Sequence, residues 1–362
     1  MALEPGVSSL SRVNAQKGVP LRTSRLLGLT AVASIALSLA ACAPAADEKP
    51  AENGASSEGF PIEIEHAYGT TTIETKPERV ATVAWANHEV PLALGIVPVG
   101  MSKATWGDDD NNGVLPWVED QLTELGADTP VLFDETDGID FEAVAETEPD
   151  VILAAYSGLT EDEYTTLSKI APVVAYPETP WGTSLEDMIT LNSEALGLAD
   201  EGDALIEELH GKVDDALAKH SALQDQKILF AFLNPADLSK IGFYTVHDTR
   251  PGFLASLGLP QPAVVEEESA KTEEFYVELS SEAADQFADV DVFVTYGDPD
   301  GAVLKQIQAD PLLSKIPAVA DGRIAILEES SPLAASANPS PLSIGWGIDE
   351  YFAVLAEAAQ TK

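Results

Sequence analysis

Cysteine is almost absent from this chain: Cys42 is the only one in 362 residues. No disulfide framework can be built from it, and no thiolate is left in the body of the chain to bind zinc. Basic residues are scarce as well, with 19 Lys and Arg against 61 Asp and Glu and a formal charge of −42. Nucleic acid is a poor partner for such a body, because phosphates need neutralising cations. The same field disfavours a strongly anionic ligand unless local arginines outweigh it. The histidines, His66, His88, His210, His220 and His247, are scattered, which argues against direct capture of zinc or manganese by side chains. His210 and His220 read as solvated. Catalytic signatures are missing: there is no nucleophile elbow, no HExxH and no glycine-rich phosphate loop. The apolar run Leu26–Ala41 is shorter than the ~20 residues of a bilayer span.

What that run does offer is a leader. Arg22 and Arg25 precede it, and it closes on Leu39-Ala40-Ala41-Cys42, the positive flank, apolar core and small-residue end of a secretory signal. The ending resembles the lipobox of bacterial lipoproteins, which implies that Cys42 is lipidated, becomes the first mature residue and anchors an extracytoplasmic protein to the cell membrane. An ordinary leader with an incidental cysteine is the plainer alternative. Residues 1–41 are thus assigned to the leader. Residues 42–59 carry no large apolar side chain and read as a disordered tether.

From Phe60 on, short apolar runs alternate with amphipathic stretches. Strands are expected at Arg79–Ala84, Val97–Met101, Val131–Phe133, Val151–Ala155 and Val173–Tyr176, with helices such as Phe141–Glu146 and Glu161–Ile170 between them. A second set follows at Ile228–Phe232, Phe243–Val246, Val292–Thr295 and Arg323–Leu327, interleaved with helices Pro251–Leu257, Ser281–Phe287 and Leu342–Ala358. Strand-helix alternation predicts a parallel α/β architecture. Between the sets, Leu205, Ile206, Leu209, Val213, Ala216 and Leu217 recur at helical spacing. The reading is an α/β protein of two Rossmann-like lobes, 60–199 and 224–362, bridged by one long helix over 200–223. The halves echo each other. Asp140-Phe141-Glu142 leads to Val151-Ile152-Leu153 and Tyr156, as Ser280-Ser281-Glu282 leads to Val292-Phe293-Val294 and Tyr296.

Several segments together carry a family resemblance. These are Lys76-Pro77-Glu78-Arg79-Val80-Ala81, Leu92–Gly100, Gly138-Ile139-Asp140-Phe141-Glu142, Glu148-Pro149-Asp150-Val151-Ile152 and Leu167–Val174. In that order they resemble the substrate-binding lipoproteins of iron–siderophore ABC importers, relatives of the vitamin B12 and haem binders. The resemblance spans residues 60–358. It implies a ligand cleft between the lobes, a ferric siderophore as ligand, no catalytic cofactor, a monomer, and delivery to ABC permease subunits. It also implies that Glu142 and Glu282 dock onto basic pockets of the two permease subunits. Without it, the same glutamates read as first-turn residues that favour a helix dipole.

A siderophore supplies all six iron ligands itself, so the cleft needs aromatic walls and a few placed donors and charges. Strand ends and the loops after them should provide these. The candidates are Trp85, Asn87, His88, Lys103, Trp106, Tyr156 and Trp181 in the first lobe and Tyr244, Arg250 and Tyr296 in the second. Arg250 precedes a helix, where an exposed cation gains little structurally, so it is expected to serve the ligand with little bearing on stability. Some hydroxamate binders of the family carry an arginine just before the segment matching Gly138–Glu142. Here that stretch is Asp134-Glu135-Thr136-Asp137, which leaves the ligand class open.

Asp108, Asp110, Asn112 and Glu119, with Gly113, satisfy the spacing of a calcium-binding EF-hand loop. A solvated acidic turn satisfies it equally, and no helix is expected upstream. Two competing functions remain: a haem or cobalamin binder of the same fold, haem demanding an axial Tyr or His, and a secreted hydrolase on a two-lobe scaffold.

Overall fold

In the computed structural model, the described residues are 59–234, 236–298 and 301–361. The leader, Cys42 and all but the last residue of the expected tether lie outside them. The first lobe opens with a hairpin that sequence reading did not anticipate, β1 (Ile62–His66) and β2 (Gly69–Ile73). Ile64, His66, Thr71 and Ile73 face inward and Glu63, Glu65 and Thr72 outward, the two-residue period of a half-buried pair. The Thr71 hydroxyl donates to the Val173 carbonyl (2.7 Å) and the Ala67 N–H to the Tyr176 carbonyl (2.9 Å). The hairpin thereby covers the edge of the sheet behind it.

That sheet contains β3 (Val80–Thr82), β4 (Gly100–Ser102), β5 (Val131–Phe133), β6 (Val151–Leu153) and β7 (Val173–Val174). Its order is β5-β4-β3-β6-β7 and every pairing is parallel. The lobe's helices are α1 (Glu89–Ala93), α2 (Pro116–Leu125), α3 (Phe141–Glu146), α4 (Glu161–Leu167) and α5 (Leu185–Ala195). Local chemistry sets their ends. Pro116 opens α2 and Gly126, at φ 63°, stops it. Thr160 and Glu163 close a reciprocal capping box on α4.

The bridging helix is α6 (Ala199–Lys219), followed by a 3-10 turn at Ser221–Leu223 that the sequence had folded into the helix. The second lobe holds β8 (Ile228–Phe232), β9 (Lys240–Tyr244), α7 (Thr249–Ser256), α8 (Ala263–Ser269), β10 (Tyr276–Ser280) and a 3-10 helix (Ser281–Phe287). It continues with β11 (Val292–Gly297), α9 (Ala302–Ala309), α10 (Pro317–Ala320), β12 (Ile324–Glu328), α11 (Pro332–Ser336) and α12 (Ser343–Ala359). Its sheet runs β10-β9-β8-β11-β12. The all-parallel expectation fails here, because β9 is antiparallel to both β8 and β10. The link from Phe232 to Lys240 is too short for a parallel crossover, which takes about a dozen residues or more. β10 was not anticipated at all. The strand expected at Phe243–Val246 lies earlier, at Lys240–Tyr244.

The two sheets place equivalent strands in equivalent positions. β3 and β8 are central, and β6 and β11 lie beside them. The sequence echo is therefore a topological one, with α3 feeding β6 as the 3-10 helix feeds β11.

One apolar core crosses both lobes. Val151, Leu153 and Ile189 of the first lobe, Leu209, Val213 and Ala216 of α6, and Phe230, Val294, Phe352 and Leu355 of the second lobe belong to a single buried cluster. Each large aliphatic side chain buried along α6 contributes roughly 1.5–3 kcal/mol. His210 is exposed, as expected, and lies 2.9 Å from Glu186 of α5, whereas His220, also expected to be solvated, is partly buried and meets Asp349 of α12 at 3.1 Å.

The second lobe also reaches into the first. Ala335 and Leu342 pack among Leu92, Met101, Trp117 and Val118, and Trp346 stands 5.2 Å from Trp117. At this junction lies Glu89, fully buried. Trp117 Nε1 donates to its Oε1 (2.7 Å) and the Leu342 N–H to its Oε2 (2.9 Å). Leu342 is the N-cap of α12, so the carboxylate of one lobe sits at the positive end of a helix of the other. Burial raises the Glu89 pKa from 4.5 to about 7, with those hydrogen bonds pulling the other way. A raised folded-state pKa means that folding takes up a proton. The contribution is complete below pH 4.5 and is lost as pH rises through about 7. The stability advantage of wild type over Glu89→Gln should therefore shrink by up to ~3 kcal/mol across that window. Urea denaturation at a series of pH values checks this, and a constant difference contradicts it.

Candidate functional site

The C-terminal ends of the central strands converge between the lobes. Beyond β3 the chain enters a tight turn, with Ala84 and Ala86 both at φ 61°. Left-handed backbone costs a non-glycine residue roughly 1–2 kcal/mol, so this turn must be held by its surroundings. The Ala84 N–H donates to the Glu135 carboxylate, 3.0 Å to Oε2 and 3.2 Å to Oε1. Asn87 fastens the other end. Its amide nitrogen donates to the carbonyls of Val83 and Tyr156, both at 2.9 Å. Its oxygen accepts from the Tyr156 N–H (3.0 Å) and the Asn192 amide (3.1 Å).

Three residues expected at the ligand are held by other partners outside the cleft lining. Asn87 is fully buried and saturated, a staple between the loops after β3 and β6. His88 is the N-cap position of α1 and is buried, which lowers its pKa to about 4 and keeps it neutral at physiological pH. Lys103 pairs with Asp134 at 3.1 Å. His88 and Lys103 face a small cavity of about 20 Å³ behind Trp85 and not the cleft.

The cleft itself is a hollow of about 270 Å³. Trp85, Trp106, Tyr156 and Trp181 line it from the first lobe, and Tyr244 and Arg250 from the second. Trp181, at φ 60°, crosses edge-on to Tyr156 with ring centroids 5.4 Å apart. A Cβ on Gly158 would lie 2.2 Å from the Trp181 indole nitrogen, so only glycine lets the ring settle there. Tyr296 is mostly buried beneath the wall, edge-on to Trp106 at 5.4 Å. It supports the lining and is not part of it. The Tyr156 hydroxyl joins the lobes, at 2.8 Å from Thr249 Oγ1 and accepting from the Asn338 amide at 3.1 Å. Asp248, Phe275 and Asn338 also line the cleft. Sequence reading missed them, since only the neighbourhood of Arg250 marked Asp248 and nothing local marked the other two.

Arg250 is not the exposed cation expected. Its side chain is 17% exposed and that of its partner Asp248 only 4%. Asp248 accepts from Arg250 Nη1 at 2.8 and 3.0 Å and from the Arg250 N–H at 2.9 Å, capping α7. The guanidinium lies 4.4 Å from the Tyr244 ring centre, a cation–π distance. Burial alone would lower the Arg250 pKa, but the Asp248 carboxylate and the nearby phenols hold it well above its usual value. The cleft floor is thus a buried ion pair with no surplus charge. Arg250 Nε and the Tyr296 hydroxyl are buried close together at this floor.

The acidic loop closes on itself. Asp108 accepts from the N–H groups of Asp110, Asn111 and Gly113 at 2.7–3.2 Å. The Asn112 amide nitrogen donates to Asp110 Oδ2 (3.0 Å) and to Glu119. The oxygens expected to meet calcium accept hydrogen bonds from the loop's own backbone and amide. Strand β4, not a helix, precedes the loop, so the EF-hand frame is missing. Glu142 and Glu282 are both exposed. Each stands in the first turn after a capping side chain, Asp140 or Ser280, at topologically matching positions of the two lobes. Among the described residues no helix is long and apolar enough to cross a membrane.

Comparison with known proteins gives this geometry a lineage. A family model described as periplasmic binding protein matches residues 80–330, and the chain belongs to that family. It is 30% identical over 238 residues to the probable siderophore-binding lipoprotein YfiY of Bacillus subtilis (strain 168), covering 64% of this chain and 68% of that protein. Among solved structures, PiaA of Streptococcus pneumoniae TIGR4 in complex with ferrichrome is 46% identical, with a TM-score of 0.80 over 83% of this chain and 99% of that one. Staphylococcus aureus SirA complexed with staphyloferrin B shares the fold at 22% identity, with a TM-score of 0.62 over 81% of this chain and 98% of that one.

The buried pair makes a stability prediction opposite to the one drawn from sequence. Arg250→Ala leaves Asp248 buried and unpaired and should cost ~3 kcal/mol. Combining Arg250→Met with Asp248→Asn should recover most of that loss, because neither charge is then stranded. Denaturant melts of the single and double variants check the coupling; additive losses contradict it.

Proposed function

We propose that this protein captures a ferric siderophore of the hydroxamate class between its lobes and presents it to an ABC permease, held at the membrane by a lipid on Cys42. The observation that carries the reading is the cleft: three tryptophans and two tyrosines around an arginine already neutralised by Asp248. Aromatic walls suit the apolar faces of a rigid chelate. Arg250 lines the floor, where a chelate oxygen would meet it in a charge-assisted bond. A ferric trihydroxamate carries no net charge, whereas a ferric tris-catecholate is strongly anionic. A chain of charge −42 with no surplus cation at the cleft floor favours the former. The relative with ferrichrome in its structure supports the same choice. Tryptophan-quenching titration against ferric hydroxamate, catecholate and carboxylate chelates tests it. Ferrichrome-type chelates should bind, and tris-catecholates should bind at least roughly a hundredfold more weakly. Equal affinity for the catecholates contradicts the assignment, and a Soret shift with haem in place of chelate binding would replace it.

Delivery rests on Glu142 and Glu282. Two exposed carboxylates at matching places on related lobes suit a partner built from two related subunits, each offering a basic socket. Glu142→Arg with Glu282→Arg places like charges at both contacts. Iron uptake through the intact importer should fall roughly tenfold or more, while chelate binding in solution stays unchanged. Normal transport by the double variant, or loss of binding along with transport, contradicts the docking assignment.

A further inference from the structure

Glu135 lies in the loop after β5, and its carboxylate faces the backbone. Its carboxylate accepts the Ala84 N–H, at 3.0 Å to Oε2, and the Ser102 hydroxyl at 3.1 Å. Ala84 begins the left-handed turn that carries Trp85 into the cleft wall, and Ala86 ends it in the same conformation. A neutral acceptor would hold such a turn less firmly than an ionised one, because charge-assisted hydrogen bonds are about twice as strong. Yet no cation among the described residues pairs with Glu135. Lys103, the nearest candidate in sequence, is taken by Asp134 at 3.1 Å.

We propose that Glu135 is a positioning residue for the ligand cleft: its ionised carboxylate fastens the Ala84–Trp85–Ala86 turn and so fixes the Trp85 wall, and neutralising it loosens that wall and weakens ligand binding. The proposal rests on the cleft being the ligand site, and it adds regulation by pH to that reading. Burial raises the Glu135 pKa to about 7, and Glu163 of α4 adds to the rise against the pull of Ala84 and Ser102. Acidification from above to below that value removes the charge that holds Ala84. His88, across the small cavity behind Trp85, stays neutral throughout, since burial lowers its pKa to about 4. Glu89 titrates in the same range, but its oxygens meet Trp117 and Leu342, not the turn.

The test reads the turn directly. In the ligand-free wild type, the Ala84 amide proton should shift with a single transition near pH 7. Glu135→Gln should abolish that transition and Glu89→Gln should keep it. Affinity for ferrichrome should fall by roughly tenfold in the wild type between about pH 8 and pH 5.5. Glu135→Gln should bind more weakly at the higher pH and show no dependence between the two, while melting cooperatively. An Ala84 amide that does not move in the wild type overturns the proposal, as does wild-type affinity in Glu135→Gln. If the wild type binds no ferric hydroxamate, the functional reading falls alone, and the Ala84 titration still decides whether Glu135 controls the turn.

Discussion

The structure depends on one continuous apolar core that passes from the first lobe through α6 into the second. Two sheets joined by a single helix could otherwise swing about it. The buried stripe of α6, with Leu209, Val213 and Ala216, ties α5 on one side to α12 on the other. The return of α11 and α12 into the first lobe makes a second tie, where Trp117 meets Trp346 and Glu89 meets the start of α12. Close-packed contacts of this kind do not deform gradually. Such packing opposes large relative movement of the two walls.

Packing of this kind can also hold strained backbone in place. Ala84, Ala86 and Trp181 all adopt left-handed backbone at the cleft. Here the frame over-determines them, which is the condition under which strain persists. The return is a lower ordering cost on binding, since aromatic side chains already fixed by Gly158, Tyr296 and Asn87 lose little further freedom.

The parts of the molecule legible in the sequence were those with a local cause. Helical spacing exposed α6, and apolar runs bounded by turns exposed β5, β6 and β11. Much of the aromatic lining was legible because the loops after the sheet strands converge between the lobes, although the same rule also drew in Asn87, His88 and Lys103, which lie elsewhere. What escaped depended on distant partners. Nothing near Asn87 announces that Tyr156 and Asn192 saturate it, nor does anything near Lys103 announce Asp134. The β1–β2 hairpin has a two-residue period, but β10 acquires its strand only by pairing with β9. Arg250 misled for the same reason. Beside a helix start it reads as exposed, and only the closure of the second lobe over Phe230 and Tyr244 buries it.

Charge divides the molecule into two regimes. The surface is overwhelmingly acidic, whereas the cleft floor balances Arg250 against Asp248. In a low-dielectric cleft an uncompensated cation would attract any anion strongly, and selectivity among chelates would then follow charge more than shape. Pairing the arginine internally mutes that attraction and leaves the aromatic contour as the dominant feature of the cleft. The surface acids act at longer range, through a field that extends about 10 Å at moderate salt. They oppose approach by anions and favour approach by cations. The surface excess and the neutral floor therefore act over different ranges, one through solvent and the other at contact.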